Sequence, residues 1–121
     1  MPGVMIVEDE TSLREMLKEA LEKRRYTVIT AADGREAIAK FRPSVINLVI
    51  TDLLMPEEDG LNVIMSIKKI KPETKIIAIS GGGKAGPGSY LMIARKLGAD
   101  HVFSKPFLPS ELLQKVREII G

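Results

Sequence analysis

The sequence predicts a doubly wound parallel α/β fold, and three observations predict it. Short apolar runs recur along the chain: Val4–Val7, Ile46–Thr51, Ile76–Ile79 and His101–Ser104. Segments with helical spacing of apolar residues alternate with them from end to end, the pattern of a parallel sheet with helices on both faces. Each run also ends in a residue with chemistry: Glu8 and Asp9 after the first, Asp52 after the second, Ser80 after the third and Lys105 after the fourth. Parallel strands deliver their C-terminal residues to one edge, where open α/β folds bind ligands. Three acids, a hydroxyl and an ammonium are therefore expected to converge on one small site.

Each element has its own signal. After the strand Val4–Val7, the residues Leu13, Met16, Leu17, Ala20 and Leu21 form a stripe at i, i+3, i+4, i+7, i+8. Ser12 with Glu15 reads as the capping box of that helix. Thr27–Ala31 is a short second strand. Asp33-Gly34 opens a second helix with Ala37, Ile38 and Phe41 facing inward, stopped before Pro43. Asn47–Thr51 is the third strand, and its unbroken apolar character fits burial on both faces. Leu61, Ile64 and Met65 mark the third helix, which ends near Pro72, and Lys75–Ser80 is the fourth strand. A glycine-rich stretch, residues 81–89, precedes a fourth helix through Tyr90, Ile93, Ala94 and Leu97, with Gly98 as its C-terminal cap. His101–Lys105 is the fifth strand. Pro109 suits the first turn of a last helix with Leu112, Leu113, Val116, Ile119 and Ile120 inward. Right-handed crossovers reduce such a chain to few topologies.

At 121 residues the chain reads as one domain, 1–121, able to bury about two-thirds of its unfolded surface. With 45% apolar residues but only 4% aromatics, Val, Ile, Leu, Met and Ala must fill the core. A net charge of +2 is mildly basic. The cluster Lys23-Arg24-Arg25 falls at a helix end, where cations suit the dipole, and no aromatic platform accompanies it, so no direct nucleic-acid contact is expected. Cysteine is absent, which excludes disulfides and thiolate catalysis. No apolar stretch approaches ~20 residues, and the first residues lack the pattern of a signal peptide. A cytoplasmic protein without membrane contact is the expectation.

Carboxylates held within a few ångströms repel one another, and each is driven to take a proton. A hard divalent cation relieves this: Mg²⁺, or Mn²⁺, takes oxygen ligands, keeps several waters and commonly uses one or two carboxylates with a phosphate. Asp9 and Asp52 are the natural direct ligands, with Glu8 longer and acting through water. Glu10 reads as a helix-start acid favoured by the dipole. A carboxylate beside a metal can itself attack phosphorus, a transfer that needs mainly positioning and charge neutralisation. Lys105 would then pair with a phosphoryl oxygen and Ser80 would donate to another. Lys105-Pro106 suggests a tight turn with a cis peptide.

These residues together resemble the receiver domain of two-component response regulators, chemotaxis-type single-domain regulators included, over essentially the whole chain. The resemblance rests on Glu8-Asp9, on Asp52 with Met55-Pro56 and Gly60 following, on Ser80, and on Lys105-Pro106-Phe107, all in the family's order. It implies a five-stranded sheet in the order 2-1-3-4-5. It implies that Asp52 accepts a phosphoryl group from a phosphohistidine on a sensor histidine kinase or phosphotransfer protein. It further implies that Glu8, Asp9, Asp52 and the Leu54 backbone carbonyl hold Mg²⁺, and that Ser80 and Lys105 sense the phosphoryl group. The event would pass to an output partner through the face of the fourth helix, fifth strand and fifth helix, by which members of the family often pair as dimers.

Three features depart from the family pattern. Glu8 stands where the family usually has Asp. Val102 stands at the switch position, usually Tyr or Phe, so an aromatic rotamer switch is impossible there; Phe103 beside it points to the other side of the strand. The loop that begins Gly81-Gly82-Gly83 is long and glycine-rich, and is expected to be mobile without phosphate and ordered with it.

Other readings fit less well. Gly81, Gly83 and Gly86 spell G-x-G-x-x-G, but in the fourth βα unit rather than the first, where dinucleotide-binding folds carry it. Gly83-Lys84 is followed by Ala85, so no P-loop hydroxyl is present. A flavin binder would need more aromatics than two Tyr and three Phe. A degenerate receiver that serves only as a protein-docking domain is the alternative; intact Asp9, Asp52 and Lys105 argue against it.

Overall fold

The computed structural model describes residues 2–55, 60–81 and 87–121, without side chains at 87–91. Ten elements alternate: β1 (Gly3–Val7), α1 (Thr11–Lys23), β2 (Thr27–Ala31), α2 (Gly34–Lys40), β3 (Ile46–Asp52), α3 (Gly60–Ile70), β4 (Lys75–Ser80), α4 (Pro87–Leu97), β5 (His101–Ser104) and α5 (Pro109–Ile120). All strand pairs are parallel, and the sheet order is β2-β1-β3-β4-β5. This is the doubly wound fold the alternation predicts.

The two-residue period of the strands sorts their side chains into two cores. Val4, Ile6, Leu48, Ile50, Ile77 and Ile79 face one way and meet Leu17 and Leu21 of α1 with Leu112, Leu113 and Val116 of α5. Met5, Val7, Val49, Ile76 and Ala78 face the other way and meet Ala37 of α2, Val63, Ile64 and Ile67 of α3, and Ala94 of α4. Each such fully buried aliphatic side chain is worth about 1.5–3 kcal/mol over leaving it exposed. β1 is buried along its whole length, as is β4 after Lys75 and β3 apart from Asn47, whereas the edge strands β2 and β5 are half-buried.

Several local expectations need correction. No capping box forms at Ser12 and Glu15: α1 starts two residues earlier, Glu10 is its N-cap without a side-chain bond, and the Ser12 hydroxyl donates to Glu10 Oε1 at 3.0 Å instead. Ile38, expected inward, is 37% exposed, because α2 has only seven residues and its buried stripe is narrow. β3 runs from Ile46 to Asp52, and β5 stops at Ser104. α4 begins at Pro87, three residues before Tyr90, with the proline in its first turn, where its missing N–H costs nothing. The C-terminal cap at Gly98 is present with φ 118°, and Ala99 N–H reaches back to Ala94 O. Asp33 caps α2 by accepting from Glu36 N–H at 2.8 Å. The Lys105–Pro106 peptide is cis.

Candidate functional site

The residues at the strand tips hang on the last rungs of the sheet. Glu8 N–H donates to Ala31 O at 3.0 Å, Leu53 N–H to Ile79 O at 2.8 Å, and Lys105 N–H to Ser80 O at 2.8 Å. The backbone ladder thus continues one residue past the strands and sets where each side chain starts. Asp52, the last residue of β3, is 4% exposed, and Glu8 is 2% exposed. Asp9, one residue on, is exposed.

Carboxylate oxygens of Glu8, Asp9 and Asp52 all lie within 4.8 Å of one another. Lys105 reaches in from the turn after β5. Its Nζ donates to Asp52 Oδ2 at 2.9 Å and to Glu8 Oε1 at 3.3 Å, bridging the two buried acids. The other oxygens are held by backbone: Leu54 N–H donates to Asp52 Oδ1 at 3.0 Å, and Glu10 N–H to Glu8 Oε2 at 3.1 Å. Both oxygens of each acid are therefore directed before any ligand arrives.

The charges follow from this packing. Burial pushes the Glu8 carboxyl up to about 7, with the Asp52 charge adding to the rise and the Glu10 N–H and Lys105 opposing it. Burial alone would lower Lys105, but its hydrogen bond to Asp52 and the charges of Asp52 and Glu8 outweigh that and hold it above its usual value. Lys105 is thus a fixed cation, and Glu8 gives up its proton only near neutrality.

The donor set fits a hard divalent cation. Three carboxylates supply only oxygen, they crowd closely enough to share one ion, and one is exposed to water.

The remaining sites lie close by. Ser80 ends β4, fully buried, its hydroxyl donating to Gly81 O at 3.1 Å. A Cβ on Gly81 would meet Lys105 Cδ at 3.7 Å, so this glycine lies against the lysine stem. Met55 is buried in the core under the site. Gly60 cannot carry a side chain: its Cβ would collide with the Asp52 carbonyl oxygen, and its N–H donates to Leu53 O at 3.1 Å. α3 can start beneath the acid only because residue 60 is glycine. Val102 packs on the α2–α4 side of the sheet and Phe103 on the α1–α5 side, as strand alternation predicts. Phe103 touches both His101 (ring centroids 4.7 Å apart) and Phe107 (5.8 Å). Pro56, Gly82 and Gly83 lie outside the described residues, and so does the expected ordering of the glycine-rich loop.

Sequence reasoning missed Arg14. Its guanidinium donates to Glu8 O at 2.9 Å and Asp9 O at 3.4 Å, clipping the acidic turn to the first turn of α1. The available signal was its place one helical turn inside α1. Nothing in its residue type distinguished it from a solvated arginine.

Comparison with known proteins identifies the fold family. The family model described as the response regulator receiver domain matches residues 4–117. The chemotaxis protein CheY of Thermotoga maritima is 36% identical over 117 residues, covering 96% of this chain and 95% of that protein. The probable transcriptional regulator ycf27 of Cyanophora paradoxa is 35% identical over 117 residues, covering 97% of this chain but 47% of that protein. This chain spans about half the length of the ycf27 regulators it matches. The Thermotoga maritima response regulator TrrA, solved in complex with Mg²⁺-BeF, superposes with a TM-score of 0.83 at 34% identity, covering 99% of this chain and 100% of that one. No helix among the described residues is long and apolar enough to cross a membrane. The chain belongs to the response regulator receiver domain family.

Proposed function

We propose that this chain is a phosphoryl-accepting switch in a two-component phosphorelay, with Asp52 as the acceptor. The observation that carries the reading is the pairing of a buried strand-end carboxylate with Lys105 at 2.9 Å, inside a cluster of two further acids. One oxygen of Asp52 attacks the phosphorus of a phosphohistidine on a histidine kinase or phosphotransfer protein. The P–N bond breaks as the P–O bond forms, and the imidazole leaves with its electron pair. The protein's part is to place the nucleophile and neutralise charge. The Leu54 N–H fixes one Asp52 oxygen, and the Lys105 ammonium is at hand for the oxygens of the arriving group. Ser80, whose hydroxyl donates to the neighbouring Gly81 carbonyl, is the donor that turns to the phosphoryl group.

Asp9, Asp52, ionised Glu8 and the Leu54 backbone carbonyl would hold Mg²⁺ or Mn²⁺. Such an ion supplies charge neutralisation between the carboxylates and the phosphoryl oxygens. The Mg²⁺-BeF complex of TrrA supports that assignment by likeness.

With Val102 at the switch position, output relies on the Ser80 and Lys105 tips rather than on an aromatic rotamer. The α4–β5–α5 face receives the signal in this reading, and α4 exposes Met92 and Ile93 at 61% and 45%. A partner protein or a second copy covers that face in this reading, within a cytoplasmic relay.

Intact-mass measurement after incubation with a small acyl phosphate and Mg²⁺ tests the proposal. A gain of one phosphoryl group that is absent without the metal and in Asp52→Asn is the expected result. No gain in the wild-type protein would leave a domain used only for docking.

A further inference from the structure

One helix length from the acidic site, about 20 Å along α1, lies a second charged feature. Lys23, Arg24 and Arg25 at the end of α1 line a cavity of about 460 Å³. Ser110, Gln114 and Arg117, on one stripe of α5, line it as well. Among the described residues no Asp or Glu side chain lines it, and Tyr26, Leu113 and Gly121 complete the lining. Lys23 pairs with Glu19, but among the described residues Arg24, Arg25 and Arg117 have no ion pair. These exposed cations come from two elements around one concavity, and an anion seated there would pair with both groups at once.

Arg25 adds a second observation. Its φ is 69°, in the left-handed region. Arg25 N–H donates to Glu22 O and Tyr26 N–H to Leu21 O, so residue 25 closes α1 at the position where glycine is the usual occupant. A side chain in that conformation costs about 1 kcal/mol over glycine. The chain nevertheless keeps arginine at a position whose side chain lines the cavity.

We propose that this cavity binds a small polyanion bearing at least two phosphate groups. Guanidinium forks take phosphate oxygens in pairs. The Ser110 hydroxyl and Gln114 amide add neutral donors, and the volume falls in the range of small-molecule sites. Nucleic acid is the poorer fit, because the charge is gathered in a concavity rather than along a stripe, and aromatics make up only 4% of the chain. The proposal is independent of phosphoryl transfer at Asp52 and needs no divalent metal.

The test is a titration of the isotope-labelled chain with pyrophosphate, without divalent metal, followed by backbone amide NMR shifts. Saturable shifts confined to residues 23–26 and 110–117 are expected, and the same in Asp52→Asn. Arg25→Gly, which keeps the backbone unstrained, and Arg117→Ala should each weaken binding about tenfold while the fold is retained. Shifts that grow without saturating and spread over all exposed lysines and arginines would overturn the proposal. So would unchanged affinity in both variants, or saturation by an acidic peptide or short RNA where pyrophosphate gives none.

Discussion

The centre and the edge of the sheet are built differently, and the site straddles both. β1, β3 and β4 are buried on both faces and carry Glu8, Asp52 and Ser80 at their tips. β5 lies at the edge, half-buried, and only the turn after it carries Lys105 across to the acids. Close-packed interiors do not deform a little at a time, so the acids sit on a fixed platform. Edge elements with less buried surface open and shift at lower cost. For the proposed switch the difference implies a division of labour: the centre would hold the chemistry still, and the edge is where a change at the site would become a change in surface.

The largest expected effect breaks that comparison directly. Ile50→Ala, in the centre, should cost roughly 2–5 kcal/mol by chemical denaturation, whereas Val102→Ala at the half-buried edge should cost less than about 1 kcal/mol. Equal losses would mean the edge is packed as firmly as the centre. A smaller effect is expected at the junction of β3 and α3. Gly60→Ala sets a methyl against the Asp52 carbonyl, and should cost about 1–3 kcal/mol and displace the acid, seen as altered amide shifts at residues 52–54.

The smallest sharpens the electrostatic side. Glu8 holds its proton in the fold up to about pH 7, against 4.5 for the free group. A carboxyl raised on folding stabilises fully below the lower value and loses that contribution as pH rises through the higher. Without divalent metal, stability should therefore fall as pH rises between those values. Glu8→Gln should flatten that slope, and a wild-type curve already flat over that window would show that Glu8 is ionised throughout.

The sequence made the platform legible because buried parallel strands are written as unbroken apolar runs, and such runs end abruptly. Asp52 after Ile46–Thr51 and Lys105 after His101–Ser104 could be placed on one edge for that reason alone. What stayed hidden depends on individual rotamers. No spacing reveals that Lys105 bridges Glu8 as well as Asp52, or that Arg14 clips the two carbonyls of the acidic turn. The start of α1 departs from its capping-box expectation because polar residues cluster there: neither Ser12 nor Glu15 caps it, and Glu10 stands at the N-cap without a side-chain bond. Short helices were over-read as well, since the seven residues of α2 bury Ala37 but leave Ile38 at the rim.

The most direct test of the account is to locate the phosphoryl group. Protein treated with an acyl phosphate and Mg²⁺, then reduced with borohydride, should carry homoserine in place of aspartate at position 52 and nowhere else when its peptides are sequenced by mass spectrometry. Homoserine at position 9, phosphoserine at Ser80, or no modified residue at all would contradict it.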